Sequence, residues 1–186
     1  LSVDAIGYFY NEIQRNLAAL PAELGVDYLF IGSTHTHNAP DTMGRWGPGF
    51  LGVDLPTDSG IVPEWMDEIN ASIVDLLTDA VAALEPVDLY ATHVQTGYDG
   101  FAARDSRDPF VFSDLVTALR VVRAGETPST DTTLGVFVNW HSHPEAVGGD
   151  NRVITSDFPH YLRVALEQGL DAGAAEGFPA RPAAGG

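Results

Sequence analysis

Four of the six histidines of this chain fall in two His-x-His pairs, His35/His37 and His141/His143. Each pair directly follows a β-rich apolar run, and loops at the carboxyl ends of strands tend to collect binding residues. If the extended backbone continues through a pair, its two rings share a face. Imidazole nitrogen suits zinc, and a catalytic zinc keeps one position open for water. The pairs therefore predict one metal site; the alternative for each pair alone is strand histidines hydrogen-bonded to backbone.

The chemistry expected of such a site is hydrolysis. The chain has no cysteine, so a metal must be held by histidine and oxygen ligands. Zinc lowers the pKa of bound water to about 7 and polarises a carbonyl, which makes amide hydrolysis feasible. A histidine of the pairs that is not a ligand then serves as proton shuttle or stabilises the oxyanion. His93 and His160 stand alone, and we expect structural roles for them.

Two arginines are further candidates, because the chain has only nine basic residues against 26 acidic ones. Arg104 and Arg107 lie in a polar segment, where either can orient a substrate or stabilise developing negative charge. The alternative for each is a surface ion pair with Asp105 or Asp108. The sequence alone leaves both interpretations open.

Composition limits the class of protein. Hydrophobic residues make up 45% and charged residues 19%, which are ordinary globular values. A formal net charge of −17 repels nucleic-acid phosphates and anionic headgroups, so we expect no nucleic-acid partner. No apolar run approaches the roughly 18 residues of a membrane span, so we expect no transmembrane segment.

Apolar residues at three- and four-residue spacing mark the helices. The pattern predicts helices over 5–20 with Asp4 as N-cap, from Pro63 up to Pro86, and over about 158–172 with Ser156 or Asp157 as N-cap. Between the first two, the Gly- and Pro-rich stretch 38–63 predicts a long functional loop.

Short β-branched and aromatic runs predict the strands, over 26–32, 87–94, 115–122 and 134–140. The first is almost continuously apolar, which is typical of a strand buried on both faces. The last two are joined by 124–131 and predict an antiparallel hairpin. We therefore expect an α/β fold with one mixed sheet flanked by helices, in a domain over 1–175 followed by a flexible tail over 176–186.

Three segments resemble the neutral/alkaline, non-lysosomal ceramidase family, in the family's order. Residues 33–40, Ser-Thr-His-Thr-His-Asn-Ala-Pro, are similar to the family's Ala-Thr-His-Thr-His-Ser-Gly-Pro. Arg104 and the strand 118–122 resemble its Asn-Arg loop and the strand that follows. Residues 139–144, Asn-Trp-His-Ser-His-Pro, continuing to 154–159, resemble its His-Pro-Thr or His-Gly-Thr turn and its Ser-Ser/Ala-Asp segment.

The resemblance implies a role for each matched residue. His35 and His143 would be zinc ligands, His37 the catalytic or substrate-contacting histidine, and Arg104 the arginine near the scissile amide. His141 matches no ligand of the family and is an outer-sphere partner or an alternative ligand. Zn²⁺ is the implied cofactor, and N-acylsphingosine or a related lipid amide, cleaved to fatty acid and amine, is the implied substrate.

The resemblance also implies parts that this sequence does not contain. The family has a glutamate and a tyrosine ligand far downstream and a serine in a Gly-Asp-Val-Ser-Pro-like motif. We therefore expect a fragment or processed chain, whose further zinc ligands come from a downstream segment or a second chain. The family implies a secreted or periplasmic location, although no signal peptide is visible. Asn38-Ala39, Ala103 and Glu145 depart from the family pattern, which affects the expected substrate more than the fold.

The loop over 42–62 carries Trp46, Phe50 and Leu51. These side chains would form an apolar wall for a lipid chain, or would anchor the loop itself.

Two other functions compete with the ceramidase-like one. A different zinc amidohydrolase also uses His-x-His after a strand, but its barrel of alternating strands and helices does not fit the hairpin around Gly125. A catalytically incomplete ceramidase-like domain, used for binding or assembly, fits the lack of downstream ligands.

Overall fold

The computed structural model describes residues 1–47, 59–97, 105, 107–109, 111, 113–148 and 150–168. These residues combine α-helices with parallel and antiparallel strands, which confirms the predicted α/β class at a coarse level. In chain order the elements are β1 (Ser2–Val3), α1 (Tyr10–Ala19), a 3-10 turn (Ala22–Leu24), β2 (Gly32–Ser33), α2 (Pro63–Ala82), β3 (Val87–Gln95), β4 (Leu115–Arg123), β5 (Thr133–Trp140) and α3 (Phe158–Gln168).

The strands of the described part form two sheets. β1 and β2 pair in parallel, with Ser2 opposite Gly32, and β3, β4 and β5 form an antiparallel sheet with β4 in the centre. The prediction of one mixed sheet is wrong in this respect. Parallel pairing stops after Ser33, and two residues later His35 has a left-handed backbone conformation, which no continuing strand can hold.

The first helix begins later than its apolar spacing indicates. Its N-cap position is Phe9, and no side-chain hydrogen bond caps it, so the prediction of Asp4 as N-cap is wrong. Residues 2–3 are used in β1, and the carboxylate of Asp4 instead pairs with Arg163 of α3 at 2.5 Å. Strand pairing at the start of the chain therefore displaces the helix.

The segment predicted as a strand over 26–32 is buried on one side only. Leu29 and Ile31 are buried, whereas Tyr28 and Phe30 are 78% and 65% exposed. Only its last residue, Gly32, belongs to a strand. The side chains of this segment alternate between the core and the surface, and because nearly all of them are apolar the sequence does not show the alternation.

The second helix is close to its prediction. It begins at Pro63, where the missing N–H costs no helical hydrogen bond, and it ends at Ala82, four residues before Pro86. One face of α2 packs against α1 and the segment leading into β2. The buried cluster formed there comprises Tyr8, Leu29, Ile31, Met66 and Ile73.

The predicted hairpin is confirmed: β4 and β5 pair antiparallel, and Gly125, between them, has a φ of 78°. β3 extends this sheet, whose Leu89 and Phe137 are each 59% exposed. α3 meets the end of β5 through Phe158, whose ring lies 4.7 Å from that of Trp140. The predicted helix end over 169–172 and the tail over 176–186 lie outside the described residues.

None of the helices in the described ranges combines the length and apolar character that crossing a membrane requires.

Candidate functional site

His35 lies just beyond β2, and its backbone has a φ of 67°. Histidine is among the few non-glycine residues found in this region with some frequency, but the conformation still carries strain. Two contacts hold it: its N–H donates to the carbonyl of Ala5 at 3.0 Å, and its Nδ1 lies 2.5 Å from the carbonyl oxygen of Ile6. A carbonyl oxygen only accepts, so Nδ1 is the donor, and in the neutral ring Nε2 keeps its lone pair.

His37 and His143, which are 106 positions apart in sequence, meet beside His35. Their Nε2 atoms are 2.7 Å apart. The ring centre of His35 lies 5.3 Å from the ring centre of His37 and 4.8 Å from that of His143. One ring nitrogen from each of the three lies within 4.8 Å of the others, and all three residues are exposed. We call these three residues the histidine cluster.

Glu145 lies behind two rings of the cluster. One carboxylate oxygen is 3.1 Å from Nδ1 of His37, and the other is 3.3 Å from Nδ1 of His143. Sequence reasoning noted Glu145 only as a departure from the ceramidase pattern. Its spacing, two residues after His143, is the signal that could have placed it near the site.

Three hydrogen bonds join the two segments that carry the cluster. The hydroxyl of Thr36, which is fully buried, donates to the carbonyl of Thr155 at 2.9 Å. The N–H of Thr155 donates to the carbonyl of Asn38 at 2.9 Å, and the side-chain amide of Asn151 donates to that of Asn38 at 2.7 Å. These contacts fix the segment of His37 against the segment that follows His143.

Asp157 anchors the turn after His143. It is fully buried and has a φ of 60°. Its carboxylate accepts the N–H of Val147 at 3.0 Å and that of Phe158, at the start of α3, at 2.5 Å. A carboxylate at a helix N-terminus satisfies free N–H groups and interacts well with the helix dipole. The turn carrying Glu145 is thereby tied to α3.

Partial burial lowers the pKa of His37 from its ordinary value, and the neighbouring His143 and His35 lower it further. The carboxylate of Glu145 opposes this shift. His37 is therefore neutral at neutral pH, which is the form that binds a metal.

Other predicted residues lie elsewhere. His141 is exposed and does not belong to the cluster. Arg104 lies outside the described residues. Arg107 forms the surface ion pair considered as its alternative: its Nε lies 2.7 Å from Asp105, and this contact holds the pKa of the Asp105 carboxyl below its usual range.

The two histidines expected to be structural also stand apart from the cluster. His93 lies in β3, and the ring of His160, on α3, packs edge-on against that of Tyr161 at 5.2 Å.

A cavity of about 190 Å³ adjoins the cluster. Its shape depends on Asp41, whose carboxylate accepts the N–H groups of Met43, Gly44 and Trp46 and so fixes the start of the long loop. Phe50 and Leu51, expected beside Trp46, lie outside the described residues. The cavity is lined by Ile6, Thr36, His37, Ala39, Asp41 and Trp46.

A scan against protein-family models and searches of curated proteins and of solved structures found nothing that matches this chain. The ceramidase family therefore stays a prediction from the quoted motifs.

Proposed function

We propose that the protein is a zinc-dependent amide hydrolase of ceramidase type, acting on N-acylsphingosine or a related lipid amide. One observation carries the proposal: three imidazoles from two distant segments each place a ring nitrogen within 4.8 Å of the others. Contacts with Ile6 and Glu145 orient the three rings, and one metal ion would use the ring nitrogens that these contacts leave available.

The cluster offers zinc suitable donor atoms at a spacing close to the one zinc requires. Two nitrogens on one tetrahedral zinc lie roughly 3.3 Å apart, since Zn–N bonds are about 2.0–2.1 Å. The three nitrogens lie within 4.8 Å of one another and the Nε2 atoms of His37 and His143 are 2.7 Å apart, so shifts of roughly 0.6–1.5 Å would bring them to that spacing. Three nitrogen ligands with an open fourth position are typical of catalytic zinc sites.

When bound, zinc supplies a water of lowered pKa and polarises a carbonyl oxygen, which together favour attack on an amide. The residues of the chain provide the binding and the orientation. His35 is fixed by Ile6, and His37 and His143 are fixed by Glu145. The ceramidase resemblance assigns His37 to proton transfer, whereas its place in the cluster favours the role of a ligand.

The cavity beside His37 supports an amide substrate with an apolar group. Ile6, Ala39 and Trp46 supply apolar wall, and Thr36 and Asp41 supply polar atoms. Placing the scissile bond near His37 would direct the apolar group along this wall.

A second candidate is a metal-binding domain that needs further ligands before it can catalyse. The glutamate and tyrosine that complete the zinc site in ceramidases have no match in this sequence, and a further segment or a second chain would supply them. Zinc binding without hydrolysis would favour this candidate.

Metal analysis and an activity assay test the proposal. We expect near-stoichiometric zinc in the purified protein at neutral pH, loss of that zinc in His35→Ala, and release of fatty acid from a short-chain fluorescent ceramide. His93→Ala, which removes a histidine outside the cluster, is the matched control and should keep its zinc. Absence of zinc from the wild-type protein would refute both candidates.

A further inference from the structure

We propose that Glu145 is a positioning residue that keeps a proton on Nδ1 of both His37 and His143, so that both Nε2 lone pairs face the centre of the cluster. The consequence for metal binding rests on the proposed function. The placement of the protons does not, because it follows from contacts made without a metal.

The geometry assigns one carboxylate oxygen to each ring. Oε1 lies 3.1 Å from Nδ1 of His37, and Oε2 lies 3.3 Å from Nδ1 of His143. A carboxylate attracts an N–H group and repels a nitrogen lone pair, so it favours the Nδ1–H form in both rings. The Nε2 atoms, on the far side, are 2.7 Å apart. That is a hydrogen-bond distance, so in the metal-free protein the two Nε2 atoms can share a hydrogen, which a metal ion would replace.

The backbone around Glu145 is held firmly enough for this role. Its N–H donates to the carbonyl of His143 at 2.9 Å, and the intervening Pro144 is fully buried. Val147 is tied to Asp157 at 3.0 Å. The side chain of Glu145 is 51% exposed, so solvent weakens its field and the expected effect is moderate.

The third ring reaches the same state by a different contact. The carbonyl of Ile6 accepts a hydrogen bond from Nδ1 of His35. All three rings of the cluster thus have an acceptor at Nδ1, which fixes ring orientation and raises ligand basicity in metal sites. Glu145 provides the acceptor at Nδ1 for His37 and His143, and the backbone carbonyl of Ile6 provides it for His35.

The proton placement is tested by nitrogen NMR of the metal-free protein, well above the ordinary histidine pKa of about 6.5. In the wild type we expect Nδ1 of His37 and of His143 to give the signal of a protonated nitrogen. In Glu145→Gln at least one of them should shift to the signal of an unprotonated nitrogen. Asp150→Asn, which removes an exposed charge from the same loop, should change neither ring. Identical ring signals in Glu145→Gln and the wild type would overturn the inference.

Zinc affinity gives the second readout. We expect Glu145→Gln to bind zinc about tenfold more weakly, at the lower end of what outer partners of metal-binding histidines contribute. Glu145→Asp, which keeps the charge, should recover part of the loss. Zinc binding by the wild type with no weakening in Glu145→Gln would refute the role of Glu145 and leave the proposed function standing. The expected NMR result in a protein that binds no zinc would support the proton placement and refute the proposed function.

Discussion

In the first His-x-His segment both His35 and His37 belong to the cluster, whereas in the second only His143 belongs to it and His141 is exposed outside. The spacing is the same, so the backbone makes the difference. Extended residues two apart are separated by about 6.6 Å, twice the rise of about 3.3 Å per residue. The left-handed turn at His35 breaks that arrangement and leaves the rings of the first pair 5.3 Å apart, at 87° to each other.

The second segment is positioned by contacts with other parts of the chain. It follows β5 directly, and its turn is held by Asp157, by the hydrogen bond that Thr36 donates and by the one that Asn38 accepts. The comparison indicates that the first segment builds a ligand pair from its own backbone, while the second delivers one ligand through tertiary contacts.

The largest effect is expected within the second segment itself. His143→Ala should weaken zinc binding by more than about 100-fold, beyond the range seen for outer partners of metal ligands. His141→Ala removes the same side chain two residues away and should leave zinc affinity unchanged. Zinc titration of both variants measures the difference. Equal losses would mean that the second pair acts as a unit, contrary to the comparison.

Asp157 is the next target, because it ties the second segment to α3. Asp157→Ala removes the buried carboxylate that accepts two N–H groups. We therefore expect a loss of about 2–4 kcal/mol in the free energy of unfolding. Urea denaturation provides the measurement. Asp157→Asn keeps an oxygen and tolerates the left-handed backbone, so it should lose clearly less. If the two variants are equally stable, the carboxylate does not hold the turn.

The geometry and the family resemblance predict different roles for His37: a zinc ligand and a proton-transfer residue. We expect His37→Ala to lower zinc affinity at least about tenfold, because a third ligand is removed. The pKa of His37 is lowered, so its contribution should be lost as pH falls through and below about 6.5, where protonation competes with the metal. Full zinc occupancy with hydrolysis abolished would instead assign His37 to proton transfer.

Much of the fold follows from local signals. Pro63 marks the start of α2, and the Gly-containing turn between two β-branched runs predicts the hairpin of β4 and β5. The start of α1 was not predictable in the same way. It depends on Ser2 and Val3 pairing with a segment about 30 residues away, and pairing of that range leaves no local trace.

The candidate site divides similarly. Residue type and spacing predicted that all four paired histidines share one site, and the family resemblance narrowed the set to His35, His37 and His143. The structure brings those three together and leaves His141 outside the cluster. The strand geometry offered as the reason was wrong for His35, since its φ of 67° depends on the carbonyls of Ala5 and Ile6. Glu145 was missed as a partner because its spacing, two residues after His143, is a weak signal in a chain with so many carboxylates.

The smallest effect is expected at the hydrogen bond between Thr36 and Thr155, which joins the two histidine-bearing segments. Thr36→Val keeps the shape of a buried side chain but removes the hydroxyl that donates to Thr155, which should cost about 1 kcal/mol in the free energy of unfolding. Thr78→Val is the matched control, because the hydroxyl of Thr78 donates to Val74 within α2 and joins no separate segments. Urea denaturation of both should show a loss at Thr36 alone. A loss of equal size at Thr78 would mean that the bond between Thr36 and Thr155 stabilises the fold no more than a hydrogen bond within one helix. Asp157 would then be the main contact that holds the second segment.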